Sequence, residues 1–225
     1  MSSQVCQIIG HEKQRAFLSK QFEVNKLKSP FLFYGPDGIG KRLVVYDLIE
    51  QIKRQNLHVD CTEFIPESKT ESYTLEQIDA FIQEVKIKPF DKTLRVFIFD
   101  QAHKFGPVQA NALLKTLEEP PEHVKFIFAT TEVKKIPITI LSRCQRFDLH
   151  RIESKLLTSH LFKISELEKI NIEQDAMTLI VRAADGSVRD GLSLLDQAIA
   201  CLLYTSPSPR DQRGSGGAAG GWKKK

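Results

Sequence analysis

The sequence predicts an α/β protein, a parallel sheet with helices on both faces, followed by a small all-helical domain. Three observations predict it. Short apolar runs at residues 31–34, 94–99 and 124–129 alternate with segments of helical periodicity. A glycine-rich segment, Gly35 to Gly40, lies directly between the first apolar run and a helical stretch. Near His150 the alternation stops, and only helical patterns follow.

Each element has its own signal. A helix is expected over 11–26, with Phe17, Leu18, Phe22 and, just beyond, Leu27 at roughly helical spacing, and Ser29-Pro30 ends the pattern. Phe31-Leu32-Phe33-Tyr34 is bounded by Pro30 and Gly35 and suits a buried strand. A helix is expected over 40–54 and a second strand over 62–66. Residues 74–85 place Leu75, Ile78, Phe81, Ile82 and Val85 on one helical face. The run 94–99 ends in Asp100. Pro107 opens a helix that stops before Pro120-Pro121. After the strand at 124–129, residues 137–141 suggest a helical turn and 146–149 another strand. Helices are expected at 153–164, 173–184 and 187–200. The resulting domains are 1–150, 151–200 and a tail at 201–225.

Composition bounds the function. In 225 residues, 41% are apolar, enough for a packed core, and 27% are charged, as in ordinary globular chains. No apolar run approaches the ~20 residues that span a bilayer, and the first 30 residues hold no signal-peptide pattern. Cys6, Cys61, Cys144 and Cys201 lie far apart, no pair has metal-ligand spacing, and four in a chain of this length are too sparse for a disulfide framework, so the expected compartment is the reducing cytoplasm. The six histidines show no ligand spacing and read as structural or solvated residues.

The net charge of +4 belongs to the tail. Residues 201–225 contribute five of the 32 basic residues and one of the 28 acidic ones, which leaves residues 1–200 neutral. A neutral body argues against strong autonomous binding to nucleic-acid phosphates. The stretch Cys201-Leu202-Leu203-Tyr204-Thr205-Ser206-Pro207-Ser208-Pro209-Arg210-Asp211 resembles the translation of a sequencing adapter. The expectation is a natural sequence broken near Ala200, followed by a disordered tail.

Gly35-Pro36-Asp37-Gly38-Ile39-Gly40-Lys41-Arg42 fits G-x-x-x-x-G-K between a strand and a helix. In such a loop Gly35, Gly38 and Gly40 let backbone N–H groups curl around phosphate oxygens, and the helix N-terminus adds positive charge. Lys41 would reach the outer phosphates. Arg42 stands where Ser or Thr offers a hydroxyl to Mg2+. A guanidinium has donors only and cannot ligate a metal. Asp100 ends an apolar strand, a common position for a magnesium-directed carboxylate, but Gln101 follows where a proton-accepting Glu would polarise the attacking water. Two defects, at the metal and at the water, point the same way: nucleotide hydrolysis by this chain alone is expected to be weak or lost.

Asn111-Ala112-Leu113-Leu114-Lys115-Thr116-Leu117-Glu118-Glu119-Pro120-Pro121, with Ser142-Arg143-Cys144, closely resembles the clamp-loader subunits of bacterial DNA polymerase III, which are AAA+ ATPases. The resemblance covers residues 8–200. It implies an AAA+ nucleotide-binding domain and a helical lid, with the collar domain that normally follows expected to be missing and replaced by the tail at 201–225. It also implies ATP as ligand, with Mg2+ in this chain's own site in doubt, and DNA replication in the cytoplasm as the setting. The implied partners are the gamma/tau and delta subunits, the sliding clamp and primed DNA through the complex.

Within the family, two subunit types share these motifs. The delta-prime type is favoured by residues 8–12, by 58–66 and 75–90, by Arg42 and Gln101, and by a single cysteine, Cys61, where gamma/tau carries four zinc cysteines. Residues 183–198 look more like gamma/tau, which hydrolyses ATP, and that alternative stays open. The resemblance further implies that Arg143 reaches the ATP of an adjacent subunit. It implies that Thr130 and Thr131 occupy the first sensor position, and that Arg189 occupies the second, on the lid.

Overall fold

The computed structural model of the chain describes residues 8–23, 29–54, 58–68, 70–89 and 93–205. In chain order the elements are α1 (Glu12–Glu23), β1 (Phe31–Tyr34), α2 (Lys41–Arg54), β2 (Val59–Phe64), α3 (Leu75–Lys86) and β3 (Leu94–Phe99). There follow α4 (Pro107–Glu118), β4 (Val124–Thr130), α5 (Ile138–Leu141), β5 (Gln145–Asp148), α6 (Ser154–Leu167), α7 (Gln174–Ala184) and α8 (Val188–Thr205). The five strands form one parallel sheet in the order β2-β3-β4-β1-β5.

Strand alternation builds two cores. Leu32, Phe97, Phe99, Phe126 and Phe128 point to one face and pack with Ile78, Phe81 and Val85 of α3 and Leu113 and Leu117 of α4. Phe31, Phe33, Val96, Ile98 and Ile127 point to the other and pack with Leu18 of α1 and Val44, Val45, Leu48 and Ile52 of α2. The period of two along each strand thus feeds both layers of a doubly wound sheet. Phe81 sets its edge against Phe97, Phe99 and Phe126 at centroid distances of 5.1, 5.0 and 5.6 Å, the tilted geometry aromatic rings favour. A capping box starts α3: Thr74 Oγ1 accepts from Gln77 N at 3.2 Å, and Thr74 N donates to Gln77 Oε1 at 3.1 Å.

A third core, centred on Leu157, Leu161, Met177 and Leu195, closes α6, α7 and α8 into the small helical domain. Among the described residues no helix is long and apolar enough to cross a membrane.

Two expectations need correction, and a third falls partly outside the described residues. The second strand is β2 at 59–64, beginning and ending earlier than 62–66. It lies at the sheet edge, where Asp60 and Glu63 interrupt the apolar signal. The first helix is described only to Glu23, and Leu27 lies outside the described residues. The last helix does not stop at Ala200 but runs to Thr205. The helical spacing of Leu195, Ala198 and Ile199 meets no breaker until Ser206-Pro207, so part of the expected tail is helix. Residues 206–225 lie outside the described residues.

Candidate nucleotide site and an arginine at the opposite edge

All five strands run the same way, so their C-terminal ends share one edge of the sheet. The Gly35–Lys41 loop leaves β1 there, beside Thr130 at the end of β4, with Gly35 N donating to Thr130 O at 3.3 Å. Asp100 follows β3 at the same edge. A Cβ on Gly35 would stand 2.1 Å from Leu149 O, so the close approach of the backbone after β5 demands glycine. Gly38 has φ +73°, and a Cβ there would fall 2.0 Å from Ser187 Oγ.

The lid is fastened to this loop. Arg189 N donates to Gly38 O at 3.2 Å, and Arg189 Nη1 meets Asp37 Oδ2 at 3.1 Å. Asp37 Oδ1 accepts from Gly38 N at 3.0 Å. Lys41 is buried, and its Nζ donates to Gly35 O at 3.0 Å and Pro36 O at 2.7 Å. Burial lowers its pKa, while Asp37 and Asp100 pull the other way. The ammonium thus holds the loop's own carbonyls, and a phosphate oxygen entering the loop would compete for it.

Arg42 turns to the neighbouring edge strand. Its guanidinium pairs with Glu63 Oε2, which also accepts from Tyr46 Oη at 2.9 Å. Phe64 O, one residue on, accepts from Asp100 N at 3.1 Å, so the ion pair flanks the acidic strand end. Asp100 Oδ1 accepts from Gln101 N at 2.9 Å, and Gln101 sits in the left-handed region with φ 50°. Tyr73 Oη donates to Phe64 O at 2.9 Å and also contacts Asp100 O, pinning both strand ends. Magnesium at such a loop takes oxygen from the hydroxyl after the lysine and from the strand-end acid. Here a cation with donors only replaces the hydroxyl, so these residues do not fit a magnesium ion.

Thr130 and Thr131 part company. Thr131 is exposed, whereas Thr130 is buried, accepts from Glu132 N at 3.1 Å and hydrogen-bonds His103 Nδ1 at 3.0 Å. His103 is therefore part of this edge, three residues past Asp100, and sequence reasoning missed it. Burial lowers its pKa against the opposing pull of Glu132. Cys144, directly before β5 at the opposite edge of the sheet, has its thiol pushed up to about 12 by burial, which leaves it inert.

Arg143 lies at the other edge. It precedes β5 and lines an open basin of about 950 Å³ with Ser29 and Pro30 before β1 and Pro121 and Glu122 before β4. Its Nη1 donates to Thr139 O at 2.7 Å, and its Nη2 pairs with Glu118. The strands separate this basin from the phosphate loop by on the order of 15 Å at ~3.3 Å per residue. Lys41, Asp100, Thr130, Arg189 and His103 thus gather at one edge, Gln101 is exposed beside them, and Arg143 stands apart.

A P-loop, a strand-end acid and a lid arginine on this sheet define an AAA+ ATPase fold. The Holliday junction branch migration motor RuvB of Thermotoga maritima has the same fold, with a TM-score of 0.67 at 18% identity over 87% of this chain and 64% of that one. So has a DNA polymerase III gamma-subunit-related protein of Thermotoga maritima, with a TM-score of 0.61 at 19% identity, covering 88% of this chain and 64% of that one. The family described as DNA polymerase III, delta subunit, matches residues 10–153, and the ATPase lid domain of the DNA polymerase III clamp loader subunit matches 157–202. The chain belongs to the clamp-loader subunits of DNA polymerase III. It is 38% identical over 208 residues to DNA polymerase III subunit tau of Bacillus subtilis, and 35% identical over 213 residues to subunit tau of Escherichia coli. These matches take in 85% and 86% of this chain but only 37% and 32% of those proteins.

Proposed function

We propose that the chain works as a clamp-loader subunit of the delta-prime type, a stator that donates Arg143 to the ATP site of an adjacent subunit and hydrolyses little or no ATP itself. The observation that carries this reading is the placement of Arg143 at the sheet edge opposite its own phosphate loop. From there the guanidinium is out of reach of the chain's own nucleotide and free to serve another's. An arginine supplied across an interface neutralises charge on the transferring phosphoryl group. Arg42 and Gln101 support the second half, since they remove the metal hydroxyl and the proton acceptor from this chain's pocket. Gamma/tau, delta, the sliding clamp and primed DNA are the partners this role requires, and the cytoplasm is its place.

The test is a reconstituted clamp loader. Arg143→Ala is expected to leave the subunit folded and to slow DNA-stimulated ATP turnover about tenfold or more. Unchanged turnover overturns the role. A gamma/tau-type ATPase is the second reading, favoured by the names of the relatives. It requires the chain alone to release phosphate in a way that Lys41→Ala abolishes.

A further inference from the structure

We propose that Arg42 takes the place of magnesium as counter-charge to nucleotide phosphates, so that this loop holds a nucleoside triphosphate without a divalent metal. The inference rests on the reading that the Gly35–Lys41 loop binds nucleotide. It starts from the misfit at the metal position. Arg42 is the second residue of α2, directly after Lys41, and its side chain runs along the strand-end edge to Glu63. A hydrated dication and a guanidinium repel each other at close range, by an amount that grows as the site is dried. The two are therefore alternative counter-ions, and the covalent chain supplies one of them permanently.

The partner that now holds Arg42 is suited to releasing it. The Arg42 side chain is 54% exposed and the Glu63 side chain 18%, so solvent screens the guanidinium end of the ion pair. Tyr46 Oη remains on Glu63 Oε2 if the guanidinium leaves. Glu63 Oε1 is buried and has no hydrogen-bond partner, so Tyr46 Oη would be the carboxylate's remaining hydrogen-bond contact, and a phosphate must outweigh the cost of that loss. A phosphate offers the guanidinium a bidentate, more highly charged partner, and planar guanidinium matches that geometry better than an ammonium does. With Lys41 from the loop and Arg189 from the lid, a swung Arg42 completes a set of three side-chain cations around the loop. None of the three needs a metal to be in place.

The experiment is calorimetric titration of ATP into the whole chain, in excess Mg2+ and in EDTA. The wild-type affinity is expected to change by less than about threefold between the two conditions, whereas Arg42→Thr binds about tenfold or more weakly in EDTA and recovers with Mg2+. Glu63→Gln, which removes the competing carboxylate, is expected to tighten binding in EDTA. Circular dichroism checks that each variant is folded. Should Arg42→Thr fail to fold, the wild-type pair of titrations and Glu63→Gln decide the matter. Binding by the wild type only with Mg2+, no binding in either buffer, no gain from Glu63→Gln, or an Arg42→Thr affinity equal to wild type in EDTA overturns the proposal. No binding in either buffer overturns the nucleotide reading of the loop as well, whereas binding only with Mg2+ overturns this proposal alone, and neither bears on Arg143, which is read through a neighbour's ATP in the reconstituted loader.

Discussion

Arg143 and Glu118 meet in an ion pair that ties the segment just before β5 to the last turn of α4. The side chains are 31% and 51% exposed, and such pairs contribute at most about 1 kcal/mol to a fold. Thr139 O still anchors the guanidinium without the carboxylate. Glu118→Gln is therefore expected to lower stability by less than about 1 kcal/mol in urea denaturation and to leave ATP turnover of a reconstituted loader intact. A loss of turnover as deep as that of Arg143→Ala would mean that Glu118 aims the guanidinium.

Gly38 and Gly40 both have positive φ, +73° and +88°, but only one is crowded. A Cβ on Gly40 meets nothing closer than 3.8 Å, whereas one on Gly38 strikes Ser187 Oγ. Ser187 cannot give way: it is fully buried, and its hydroxyl accepts from Asp190 N at 3.2 Å to cap α8. Gly40→Ala is expected to cost about 1 kcal/mol, the penalty of the left-handed backbone, and Gly38→Ala about 2–4 kcal/mol, because it also pushes the lid from the loop. Urea denaturation of the two variants measures the difference. Equal losses would show that the lid yields at no cost.

Most of the architecture was legible because its signals are local. β1, β3 and β4 are apolar runs, broken only by Arg95 in β3 and by Lys125 and the terminal Thr130 in β4, and their apolar residues feed both faces of the sheet. α4 carries its own signals, Pro107 at the start and Pro120-Pro121 after the end. β2 was harder, since an edge strand exposes polar side chains that break the pattern. Of the site, Gly35, Gly38, Gly40, Lys41 and Asp100 follow from a motif of fixed spacing. His103 does not, because its contact with Thr130 joins residues 27 apart in sequence and no spacing rule marks it. The pairing of Arg42 with Glu63 is hidden in the same way: only the parallel register of β2 beside β3 brings that carboxylate to the loop edge.

His103 gives the chain a pH dependence whose sign can be worked out. Burial lowers its folded-state pKa below 6.5, against the milder pull of Glu132. Between those two values the unfolded chain binds more protons than the folded one, so stability rises with pH across that window. The contribution is complete above the unfolded value and is lost as pH falls through 6.5 toward the lowered folded value. His11 and His160 are lowered by burial too and add to the same slope. Glu132, itself lowered chiefly by its hydrogen bond with Lys135, loses its contribution only as pH falls below 4.5, which keeps it out of the histidine window. Urea denaturation at about pH 7 and about pH 5.5 is expected to find the wild type less stable at the lower pH. His103→Gln keeps a polar partner for Thr130 but cannot titrate, so its loss over the same interval is expected to be smaller, with a residual slope from His11 and His160. An unchanged slope would assign the whole effect to those two residues and leave His103 free to accept a proton where it sits.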